Sequence, residues 1–73
     1  MTKTIKRLLS EYSDFDADTI TTDMSIHDDL FLNKGDLQEI VLEIQDYFGC
    51  DIEDPIESII YVCDLMAVVK SAI

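Results

Sequence analysis

The stretch Asp28–Phe48, DDLFLNKGDLQEIVLEIQDYF, decides the fold, because in it a loop ends and the longest amphipathic helix of the chain begins. Leu37, Ile40, Val41, Ile44 and Phe48 recur at helical intervals and mark a core-facing stripe. Gln38, Glu39, Glu43 and Asp46 then fall on an outward, acidic face. The helix is expected to start near Gly35 or Asp36, where an acid suits the helix dipole. It is expected to stop at Gly49, which can supply the left-handed residue that commonly ends a helix.

Toward the N-terminus, Thr2 or Thr4 can cap a first helix that runs to about Tyr12 with the apolar stripe Ile5, Leu8, Leu9 and Tyr12. Lys3, Lys6 and Arg7 crowd its start, an unfavourable place for cations beside the positive end of a helix dipole. They answer either acids elsewhere in the chain or a partner, and the sequence leaves both open. From Ser13 to Asn33 the helical period is lost, and Phe15, Ile20, Met24, Ile26, Leu30 and Leu32 read as anchors of one long packed loop.

Toward the C-terminus, Asp54-Pro55-Ile56-Glu57 predicts a short third helix ending by Tyr61, with Asp54 as cap, Pro55 at the first helical position and Glu57 reaching back. A last helix covers roughly Val62 to Ile73, with Leu65, Met66, Val68, Val69 and Ala72 on its apolar face. The expected fold is therefore all-α: a small four-helix bundle over residues 1–73, with a long first loop and a short third helix.

The chain carries a net charge of −11, yet 48% of its residues are hydrophobic and recur in periodic sets, the pattern of a folded globule rather than a disordered acidic tail. All acids lie between Glu11 and Asp64, and only Lys34 interrupts the acidic middle. Such a field repels nucleic-acid phosphates and anionic lipid, and it steers basic protein surfaces inward. No apolar run approaches the roughly 20 residues that span a bilayer, and Met1–Ser10 lacks the hydrophobic centre of a secretory signal, so a cytoplasmic protein is the expectation, with a monomer as the default.

Candidates for chemistry are few. Asp14, Asp16 and Asp18 begin like a calcium loop, but Thr19, Thr21 and Ser25 stand where that loop needs Gly, an apolar residue and Glu, so a solvated acidic turn is expected and no metal. Cys50 and Cys63 have no neighbouring His or Cys at a metal spacing and read as plain thiols. His27 is a lone histidine beside Asp28 and Asp29, a surface residue with a carboxylate neighbour. No nucleophile, base and orienting group form a recognisable set, so no enzyme is expected.

In order and spacing, several short pieces resemble the acyl carrier protein family across nearly the whole chain. Ile20–Ile26 is similar to the end of the family's first loop, and Asp28-Asp29-Leu30 to the acidic pair and Leu ahead of its prosthetic-group site. Glu39-Ile40-Val41 resembles the Glu-Leu-Val of its second helix, Phe48-Gly49-Cys50-Asp51-Ile52 the end of that helix, and Val62-Cys63-Asp64-Leu65 the Val-Gly-Asp-Leu that opens its last. The family carries acyl cargo on a phosphopantetheine arm attached to the Ser of an Asp-Ser-Leu motif. A gapless alignment puts Lys34 in that slot, and a two-residue insertion puts Asp36 there.

Neither residue offers a hydroxyl, and no Ser or Thr occurs between Ile26 and Glu57. Phosphopantetheine transfer needs an alkoxide nucleophile, so no cofactor is expected. What the resemblance still implies is docking: Asp36, Glu39, Leu42, Glu43 and Asp46 would meet the basic surface of a protein partner, such as an acyl-transfer or synthase enzyme. Two other readings stand beside it. One is a working carrier with phosphopantetheine on Ser25, Ser58 or Cys50, and the other an acidic inhibitor or regulatory protein outside acyl transfer.

Overall fold

A computed structural model describes residues 1–73 and shows three α-helices, α1 (Thr2–Tyr12), α2 (Lys34–Phe48) and α3 (Val62–Ala72), with single 3-10 turns at Ala17–Thr19 and Ile56–Ser58. The chain is all-helical, but the expected short third helix is only the second of those turns. Pro55 lies outside the turn in extended geometry (φ −67°, ψ 142°), and no side chain caps it. Ser58 and Ile59 N–H groups bond one short turn back, to Pro55 and Ile56, at 3.0 and 3.1 Å. Ile59 then leaves for extended backbone, and the Ile60 carbonyl accepts the N–H of Ile26 at 2.9 Å. The long-range pairing of Ile60 and the burial of Ile59 in the core, both β-branched residues, override the local helix-start signal.

That pairing ties the two connections together. Ser25 and Tyr61 form an isolated antiparallel bridge, flanked by Val62 N–H to the Met24 carbonyl (3.0 Å) and Cys63 N–H to the Thr22 carbonyl (2.9 Å). Inside the first connection, the Asp29 and Leu30 N–H groups both turn back to the Ser25 carbonyl, and the Asp29 carboxylate accepts the Ser25 N–H at 2.7 Å. His27 is exposed, but its Nδ1 meets the Leu32 carbonyl at 2.6 Å, so it braces this loop rather than pairing with Asp28.

One cluster of 15 buried apolar side chains forms the core. Ile5, Leu8 and Leu9 enter from α1, Leu37, Ile40, Val41 and Ile44 from α2, and Val62, Leu65 and Val69 from α3. The remaining members, Ile20, Ile26, Leu30, Leu32 and Ile59, come from the connections. Four of these are anchors assigned to the long first loop, whose entropy cost their burial offsets at about 1.5–3 kcal/mol each.

The helix ends explain the helix lengths. α2 begins at Lys34, one or two residues before the expected Gly35 or Asp36, because Asn33 caps it: the Asn33 Oδ1 accepts the Asp36 N–H at 2.7 Å, and Asp36 Oδ2 accepts the Asn33 N–H at 3.2 Å. Lys34 is thus the first helical residue and Asp36 the third. Gly49 closes the helix in left-handed geometry (φ 63°, ψ 39°), as read from the sequence. At α3 the Asp64 carboxylate reaches back to the N–H groups of Ile60 and Tyr61 at 3.2 and 2.9 Å. α1 has no side-chain cap: Met1 holds the cap position, and Thr2 and Thr4 lie within the helix.

Candidate functional site on the outer face of α2

A helix of 15 residues is about 22 Å long, close to the molecule's greatest extent of 27 Å, so the outer face of α2 is a large part of one side of the protein. Glu39, Leu42, Glu43 and Asp46 are all exposed there at helical neighbour spacing, with Leu42 an apolar contact among acids. Tyr47 is exposed beside Asp46 and meets the Phe48 ring edge-on at a centroid distance of 5.0 Å. Asp36, grouped with this face from the sequence, is half-buried and its carboxylate serves the α2 cap. The open acidic surface therefore consists of Glu39, Glu43 and Asp46.

Lys34, at the head of the same helix, pairs with Glu57 on the second 3-10 turn. Both side chains are exposed, so the pair adds little to stability. It does fix the setting of the first α2 residue: a lysine ammonium engaged by a carboxylate, with no hydroxyl. The Lys34 hydrogen bond, a backbone hydrogen bond and the Lys34 charge together hold the Glu57 carboxyl below its ordinary range. A carboxyl lowered on folding stabilises the fold above its unfolded pKa and loses that contribution as pH falls through the folded value. Glu57→Gln should therefore leave stability nearly unchanged in acid and slightly reduced at neutral pH, as paired thermal melts would show.

The face continues onto the end of α1. Desolvation pushes the Tyr12 phenol up, reinforced by the neighbouring carboxylates of Glu43, Glu39 and Glu11. Next to Tyr12 an open-sided groove of about 350 Å³ is lined by Tyr12, Ser13, Asp14, Phe15, Leu30 and Phe31. Nothing in the sequence drew attention to Phe31, which is 79% exposed.

The remaining candidates sit apart. Lys3, Lys6 and Arg7 line a second groove with Thr2, Ala17 and Asp18, and none of the three lies within ion-pair distance of a carboxylate. Asp18 is the one acid that shares the groove with them. Ser25 is buried and its hydroxyl accepts the Asp28 N–H, whereas Ser58 is exposed and donates to the Pro55 carbonyl. Cys50 is half-buried and Cys63 exposed, both free. Asp14, Asp16 and Asp18 do not converge with other side chains into a group of three able to hold a metal ion.

No protein-family model matches the chain. No helix is long and apolar enough to cross a membrane.

Proposed function

We propose that the protein is an acyl-carrier-like interaction module that docks the basic surface of a protein partner and bears no phosphopantetheine arm. The observation that carries this reading is the pairing of an open acidic face on α2, with Leu42 among Glu39, Glu43 and Asp46, and a salt-bridged lysine where a carrier would present its serine. In this reading the three helices correspond to the long helices of a carrier bundle, and the Ile56–Ser58 turn stands in for its short third helix. The early start of α2 favours the gapless alignment, with Lys34 rather than Asp36 in the serine slot. Exposed carboxylates steer a cationic partner over about a Debye length, roughly 8 Å at physiological salt, so association is fast and salt-sensitive.

Burial of Ser25 and the use of its hydroxyl in the Ser25–Leu30 turn weigh against a carrier modified there. The direct test is intact-mass measurement after incubation with coenzyme A and a broad-specificity phosphopantetheinyl transferase. The mass should not change, and a gain of one arm would sink the proposal. Docking is tested by affinity capture from the native host followed by binding assays with the recovered enzyme. Basic acyl-transfer or synthase enzymes should be enriched, and Glu39→Lys with Glu43→Lys should weaken their binding at least about tenfold, since like charges brought together at an interface cost several kcal/mol. Recovery only of proteins outside acyl transfer would favour the inhibitor reading instead.

A further inference from the structure

Phe31 is the outlier of the molecule. Its φ of 57° is a left-handed conformation that costs a bulky L-residue strain, and it is the one non-glycine residue with positive φ. The surroundings impose that conformation. Leu30 and Leu32 on either side are both buried, and the Leu32 N–H turns back to the Ile26 carbonyl at 3.1 Å. Glycine or asparagine would make the same turn at less cost, so the turn accounts for the backbone but not for the phenyl ring.

The ring lines the groove that Tyr12, Phe15 and Asp14 also line. The Asp14 carboxylate on its wall has no ion-pair partner in the chain. None of the basic residues of this chain lines it: Lys3, Lys6 and Arg7 border the other groove, and Lys34 is held by Glu57. Three aromatic residues and an unmatched acid around an open space in a chain of net charge −11 are complementary to an organic cation.

We propose that this groove receives an arginine side chain of the basic partner, its guanidinium stacked on the rings of Tyr12, Phe15 and Phe31 and its N–H groups facing the Asp14 carboxylate. The negative faces of aromatic rings attract a cation, and a planar, weakly hydrated guanidinium stacks on them better than a compact ammonium. A carboxylate at the edge takes the guanidinium fork in a directional pair. The inference rests on the reading of the chain as a docking module for basic proteins, and adds to the α2 face an anchor that selects arginine over lysine.

The test is an NMR titration of the isotope-labelled full chain with hexa-arginine and hexa-lysine peptides at physiological salt, following the side-chain resonances of Tyr12, Phe15 and Phe31 and the amides of α2. Hexa-arginine should move all three aromatic signals and bind about threefold tighter than hexa-lysine. Phe31→Gly and Asp14→Asn should each weaken hexa-arginine binding by about threefold to fivefold. Phe31→Gly relieves the backbone strain, so its melting temperature should not fall, which separates lost binding from lost folding. Aromatic signals that stay still, equal affinity for the two peptides, or wild-type binding by Phe31→Gly would overturn the groove. If the α2 amides then still respond and Glu39→Gln weakens binding, the docking reading survives without it. No response to either peptide at any residue would overturn both.

Discussion

Ile40→Ala is expected to lower the melting temperature by about 12–30 °C, a loss of roughly 3–4 kcal/mol in a domain of this size. Ile40 is fully buried at the middle of the α2 stripe, in one cluster with Leu37 and Ile44. Truncation removes the transfer free energy of its methylenes and leaves a cavity inside the core cluster. At roughly 0.1 kcal/mol per residue, a chain of 73 residues holds about 7 kcal/mol in total, so this one change removes about half. The contrast is Leu42→Ala, two residues and so about half a turn round the same helix from Ile40 and 55% exposed, which should cost less than about 0.5 kcal/mol. Equal losses for the two variants in denaturant titrations would mean that α2 is not oriented as described.

Asn33→Ala is expected to cost about 1–2 kcal/mol, and with it about 4–15 °C in melting temperature. The substitution deletes the acceptor for the Asp36 N–H and leaves that donor at the head of α2 without its side-chain partner. The reciprocal bond from Asn33 N–H to Asp36 loses the partner that holds its geometry. Asn33→Asp keeps the acceptor oxygen and adds a negative charge at the positive end of the helix dipole, so it should be close to neutral. Because Lys34 is the next residue, the Ala variant also loosens the Lys34–Glu57 pair, which would be visible as faster amide exchange in the first turn of α2.

The features readable in advance were the local ones. The α2 stripe and the Gly49 stop follow from spacings of three, four and one residues, and both are where the sequence put them. The anchors Ile20, Ile26, Leu30 and Leu32 were legible as apolar residues in a polar stretch, although their partners were not. The Asn33 cap has a signal in the sequence, an amide three residues before an acid, although Gly35 and Asp36 compete with it as starting points. The short third helix failed for the opposite reason: its start signal was sound, but Ile60 and Tyr61 are claimed by backbone groups more than 30 residues away, at Ile26 and Ser25. The site followed the same division. Helical spacing put Glu39, Leu42, Glu43 and Asp46 together, while the use of Asp36 as a cap, the Lys34–Glu57 pair and the groove at Phe31 depend on segments that meet only in three dimensions.

The bridge between Ser25 and Tyr61 has a mechanical consequence. Through it the strained turn that carries Phe31 is hydrogen-bonded to the backbone at which α3 starts, which joins the approach to α2 to the head of α3. A partner that grips the Phe31 turn would load the far side of the bundle as well. The Val62 and Cys63 amides, bonded to the Met24 and Thr22 carbonyls, would then act as gauges of that grip, exchanging with solvent more slowly when the groove is filled although no ligand touches them.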